Sequence, residues 1–215
     1  MRLATNRTIL YQSNSSRTDP FIMMRWLVCG VTVGVALSLL HSCQLTSSLD
    51  SSRLVATNGR HYEFPADLRG HVVVVSFIYT HCPDICRMTI GRMLELWGSV
   101  GRDSGVIFAT VTLDPARDTL GALREYASAW GIPSERWLLL TGTIADVERV
   151  HRVFGIIARK SYTEHLPSGE DVYFIDHTDA VFLLDRNGII RDRREGSTLD
   201  VERYAALVHQ YLQDQ

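Results

Sequence analysis

Cysteine is scarce in this sequence, and the few present are unevenly placed. Four cysteines in 215 residues exclude a disulfide-packed scaffold. Cys29 and Cys43 fall in an amino-terminal hydrophobic region, leaving Cys82 and Cys86 for the body. A domain of this size buries a core without staples, so that pair is either ordinary structural cysteine or a site of chemistry. Surplus positive charge is also missing. With 22 basic and 24 acidic residues the net charge is -2, and the chain beyond Cys43 is more acidic still. That argues against a broad nucleic-acid-binding surface, which needs clustered positive charge. Arg191, Arg193 and Arg194 read as a solvated edge. There is no internal repeat, no glycine-rich phosphate loop and no second domain.

Residues 1–20 are polar and aperiodic, and 1–22 are expected to be an unstructured lead-in or sequence upstream of the true start, with Met23 or Met24 as later starts. Trp26–Leu40, WLVCGVTVGVALSLL, is fifteen residues without a charge, preceded by Arg25. The run is apolar on all sides, unlike an amphipathic core helix. It suits a signal peptide, or a membrane anchor if extended back through Phe21. Residues 23–43 are therefore expected to be a signal peptide or anchor that carries the domain out of the cytoplasm. Leu40, Ser42 and Cys43 resemble a bacterial lipoprotein processing site, with Cys43 as the lipidated residue and His41 as an awkward fit. Residues 44–53 read as a polar tether and 54–215 as the folded domain.

Within the domain, Asn58-Gly59 between short mixed segments signals a hairpin. HVVVVSFIY at 71–79 is nearly continuous in β-branched and apolar residues, the pattern of a strand buried on both faces. A helix is expected over 84–98, ended by Gly98, and a second buried strand over 105–113. Further helices are expected after Asp118-Thr119, over Ile144–Phe154 and over Leu199–Leu212, with a short strand at Trp137–Leu140. AVFLLD and GIIRDR flank Arg186-Asn187 as a second hairpin, while 155–176 reads as an irregular excursion. The order ββαβαβαββα implies an α/β sheet covered on both sides.

Cys82-Pro83-Asp84-Ile85-Cys86 follows the buried strand and opens a helix, where proline is tolerated and free amides favour a thiolate. The four-residue spacing puts both sulfurs on one face of the first turn, able to form a disulfide or to converge on a soft metal. A redox pair of the usual kind has two intervening residues, not three. One pair cannot complete a structural zinc site. Two thiolates with an imidazole suit copper, as Cu(I) or Cu(II). Of eight histidines, His177 is best placed, at a loop end immediately before a strand. His81 is the rival, read as a modulator of the thiolates. Asp84 reads as an early-helix acid.

YTHCPDIC, VTLDPARDT and YFIDHTDAVFLLDRNG, in that order, resemble the SCO/SenC family of copper proteins over residues 53–212. The resemblance implies a thioredoxin-like fold with an amino-terminal β-hairpin and an inserted hairpin or loop before the histidine segment. It implies Cys82, Cys86 and His177 as copper ligands, and Asp114 as an acidic residue near the site; a loop cap beside Pro115 is its plainer role. It further implies attachment to a membrane facing the periplasm, and assistance in assembling the dinuclear copper centre of cytochrome c oxidase. The expected partners are the oxidase's copper-centre subunit or another copper protein, an upstream copper donor and a thiol reductant. Arg87 stands where the family commonly has proline. The alternative is a thiol-disulfide oxidoreductase in which Cys82 attacks and Cys86 resolves. A copper-responsive regulator or copper-resistance protein is a weaker third reading, and peroxide reduction fits the paired cysteines less well.

Overall fold

The computed structural model describes residues 50–167 and 171–213. The lead-in, the hydrophobic segment with Cys43, and most of the tether lie outside the described residues. Among those described, no helix is long and apolar enough to cross a membrane.

The run VVVVSFI forms β3 (Val72–Ile78), every residue of which is buried. It runs parallel to β4 (Val106–Thr112), with Val74 opposite Phe108. On its other side it runs antiparallel to β8 (Val181–Leu184), with Val74 opposite Leu183. β5 (Trp137–Thr141) continues the parallel part. The hairpin β1 (Ser52–Ala56) and β2 (His61–Phe64) closes one edge, and β9 (Ile190–Arg194) closes the other. The sheet order is β2-β1-β5-β4-β3-β8-β9. β3 thus lies between two strands and beneath helices, which explains why its sequence is continuously apolar rather than alternating.

Among the described residues, four α-helices accompany the sheet: α1 (Ile85–Val100), α2 (Leu120–Trp130), α3 (Ile144–Phe154) and α4 (Val201–Gln213). Hydroxyls begin α2 and α3: Thr119 accepts from the Ala122 amide and Thr143 from the Asp146 amide, each satisfying a first-turn donor. On one face of the sheet, Trp97 of α1 packs against Phe108 and Trp137. On the other, Phe154 of α3 packs against Phe64, Phe77 and Phe182. Both faces are covered, as the apolar strands require.

The first helix does not stop at Gly98. A methyl group there would meet nothing within 4 Å, whereas at Gly101 it would lie 2.5 Å from the Trp97 ring. The helix runs through the first glycine and is capped at the second, whose amide bonds the Trp97 carbonyl at 2.7 Å. The stretch read as irregular is largely a second sheet, β6 (Ala158–His165) paired with β7 (Asp171–His177), with a bulge between Lys160 and Thr163. Its near-continuous exposure on β6 erased the apolar pattern by which a strand is read. The order among the described residues is βββαβαβαββββα, and the two strands that no expected element covers are β6 and β7.

Candidate metal centre

Cys82 lies in the loop after β3, and α1 begins only at Ile85, beyond Pro83 and Asp84. The two cysteines therefore do not share a helical turn. They converge because the chain folds back: the Cys86 amide donates to the Cys82 sulfur at 3.4 Å, so Cys82 takes up one of the free donors at the helix start. Both are free thiols; Cys82 is half-buried and Cys86 is 1% exposed.

β7 ends at His177 and delivers its imidazole to the same place. Its Nε2 lies 3.4 Å from the Cys86 sulfur. Ligand atoms of Cys82, Cys86 and His177 all lie within 4.8 Å of one another. His177 Nδ1 is 3.1 Å from the Thr178 carbonyl; donating there, it leaves Nε2 facing the sulfurs, the arrangement of a metal-binding histidine oriented by a backbone acceptor. Neither His81 nor Asp114 joins the group. His81 is exposed and bonded to the Thr80 hydroxyl at 3.0 Å.

The sulfurs differ electrostatically. Hydrogen bonding from the Cys86 thiol, opposed by burial and assisted by His177 and the Asp84 and Cys86 amides, lowers Cys82 to about 4. Cys86 is pushed strongly upward, because its proton is shared with the Cys82 sulfur and its surroundings are dry. Burial opposes a charged His177, but its bond to Cys82, the Thr178 carbonyl and the Cys82 charge outweigh burial and raise it. The metal-free pair is thus one accessible thiolate beside one buried thiol.

Several residues support the donors from behind, and of these only Asp114 was expected near the site. Tyr79, 2% exposed, meets the His177 ring edge-on at 5.8 Å and accepts from the Ile175 amide at 3.3 Å. Asp114 is buried, bonding Arg117 Nε at 2.5 Å and the Tyr173 hydroxyl at 2.9 Å. Arg117 and Lys160 both lie over the Tyr173 ring, at 3.5 and 3.8 Å from its centroid. This cluster ties β7 to the loop after β4. Asp118, fully buried, accepts from the Thr80 hydroxyl at 2.6 Å and the Thr112 hydroxyl at 2.5 Å, fixing the chain just before Cys82. Tyr79 opens YTHCPDIC, Arg117 and Asp118 lie inside VTLDPARDT and Tyr173 opens YFIDHTDAVFLLDRNG, so their place in those motifs was a signal.

Two soft sulfur donors and one imidazole, one sulfur reachable from solvent, make a donor set suited to a thiophilic metal ion. The SCO1/SenC family model matches residues 49–213. The chain belongs to the SCO1/SenC family. A mitochondrial SCO2 homologue of Bos taurus is 32% identical over 133 residues, 59% of this chain and 46% of that protein. The chain spans about half the length of the curated relatives it matches. The solved structure of Bradyrhizobium japonicum ScoI with copper bound is 26% identical, with a TM-score of 0.64 over 75% of this chain and 97% of that one. BsSco, described as a Sco-family cytochrome c oxidase assembly protein with a disulfide switch, is 20% identical at a TM-score of 0.59 and covers 80% of this chain and 99% of its own; it bears on the fold. The thioredoxin-like SCO1/SenC architecture accounts for both the amino-terminal hairpin and the β6–β7 insertion that ends in His177.

Proposed function

We propose that this protein is a copper metallochaperone: Cys82, Cys86 and His177 hold copper as cargo and pass it to the dinuclear copper centre of cytochrome c oxidase. The observation that carries this reading is the convergence of those three donors within 4.8 Å, supported by family membership and by the copper-bound ScoI relative. Cys82 and Cys86 supply thiolates and His177 a neutral imidazole; binding therefore releases the Cys86 proton and requires His177 Nε2 to be unprotonated. A recipient's thiolates displace the donors stepwise, beginning at the half-exposed Cys82. We also propose that residues 23–43 tether the domain to the cell membrane on its periplasmic side, through a lipid on Cys43 or an uncleaved hydrophobic segment. The uncharged run Trp26–Leu40 and the sequence LLHSC support this.

The depressed Cys82 beside a protonated Cys86 favours a second reading, thiol-disulfide exchange. The Cys82 thiolate attacks a partner disulfide and one partner sulfur leaves as thiolate. Cys86, losing its proton, then attacks Cys82, releases the second partner sulfur and leaves the Cys82–Cys86 disulfide. That chemistry does not need His177.

Anaerobic Cu(I) and Cu(II) titration of the reduced protein against competing chelators separates the two. One tight equivalent, greatly weakened in folded H177A, is the result expected of the chaperone. Absent tight binding, or identical binding in H177A, rejects the three-donor site and leaves thiol exchange as the role.

A further inference from the structure

Asp179 stands two residues beyond His177. Its Oδ1 accepts from the Thr89 hydroxyl at 3.0 Å, and its Oδ2 accepts from the Ser197 amide at 2.8 Å. Thr89 is 2% exposed and lies in α1, nearly one turn beyond Cys86. One carboxylate therefore joins the segment carrying His177, the helix carrying Cys86 and the turn after β9. The Thr89 hydroxyl also points at the Ile85 carbonyl at 3.0 Å; the carboxylate is the stronger acceptor for its single proton. The packing is tight. A methyl group on Gly196 would lie 2.7 Å from both Asp179 Oδ1 and Thr89 Cγ2, so a side chain at 196 would wedge the contact apart.

Apart from the His177–Cys86 contact itself, the other ties on the histidine segment lead elsewhere. Thr178 and Ile157 bond each other at 2.9 and 3.0 Å, closing the base of the β6–β7 hairpin. Tyr173 and Ile175 bind β7 to Asp114 and Tyr79. The Asp179–Thr89 bond reaches the cysteine helix itself.

We infer that Asp179 is a positioning residue: its bond to Thr89 sets the separation between the His177 imidazole and the Cys86 sulfur. Residues that orient metal-binding side chains typically contribute about 10- to 100-fold in affinity. The inference rests on the copper reading above.

The test uses the full chain with T89V, which keeps the side-chain shape and removes the hydroxyl, T89S, which restores it, and G196A, which inserts the wedge. Each is made in the wild-type and H177A backgrounds and compared by anaerobic Cu(I) competition. T89V and G196A are expected to weaken binding by about tenfold, T89S to bind as wild type, and T89V to cause no further loss in H177A. The metal-free equilibrium of the Cys82–Cys86 pair with glutathione and its disulfide should be unmoved by T89V, because that disulfide needs no imidazole. Wild-type affinity in T89V and G196A overturns the inference while leaving the copper site standing. So does an equal loss in the H177A background, or a matching shift in the glutathione equilibrium, either of which makes Thr89 a prop of α1. If H177A itself binds as wild type, the copper reading fails and the positioning role falls with it.

Discussion

His177 Nε2 stands 3.4 Å from the sulfur of Cys86, although 91 residues separate them. The contact joins the end of an inserted hairpin to the start of a helix, and makes the electrostatics of the three donors interdependent.

Cys82 is expected to remain a thiolate down to about pH 4, since hydrogen bonding from Cys86 and then His177 outweighs its burial. Thiolate absorbance of the reduced protein should show one low-pH transition that vanishes in C82S, and alkylation at about pH 6 should modify Cys82 before buried Cys86. Because the folded value lies below the ordinary 9.0, the stabilisation is fully present above about pH 9 and is lost as pH falls toward 4. Urea midpoints of C82S should therefore depend less on pH across that window. An unchanged pH profile in C82S would refute the assignment.

Copper affinity should fall as acidity rises through the raised His177 range, because the proton and the metal compete for the imidazole. The sign follows from the Cys82 bond and charge, together with the Thr178 carbonyl, which overcome burial and favour imidazolium. Cu(I) competition across the pH range from about 5 to 8 should show a component that H177A lacks. Parallel pH profiles in both proteins would count against proton competition at His177.

Y173F should weaken the fold by about 1–3 kcal/mol, the usual cost of depriving a buried polar group of its partner. The ring and its stacked cations remain, but Asp114 loses the Tyr173 hydroxyl at 2.9 Å. A lower urea midpoint at an unchanged slope is the expected result. No shift would mean that Arg117 alone satisfies Asp114.

The two glycines of α1 should respond oppositely to alanine. G98A meets open space and should stabilise by about 0.5–1 kcal/mol, since glycine is unfavourable in a helix interior. G101A would place a methyl group 2.5 Å from the Trp97 ring and 2.6 Å from its carbonyl. That should destabilise, because Trp97 is pinned between Phe108 and Trp137. Thermal melts of the pair decide the point; similar shifts of one sign would contradict it.

The same glycines show where sequence reading ran out. Gly98 looked like a stop because glycine commonly ends helices, yet the helix passes through it and is capped three residues later, at Gly101. β6 was missed because its residues are exposed, so no apolar alternation marks it. Conversely, β3, β4 and α3 were legible because burial on both faces, or on one helical stripe, leaves a periodic trace in the chain.

What the sequence by itself determined is local or repetitive: the buried strands, the amphipathic helices, the closeness of Cys82 to Cys86, and motifs enough to point to His177. Neighbouring residues along the chain fix these, through backbone periodicity and short-range geometry. Tertiary structure alone decided that Cys82 meets Cys86 from a loop rather than a helical turn. It also set Tyr79 beneath the His177 ring, Asp114 against Tyr173, and Asp179 on Thr89. Those contacts depend on strand order and on the path of an exposed hairpin, and a side chain's identity carries no mark of the distant partner it will meet.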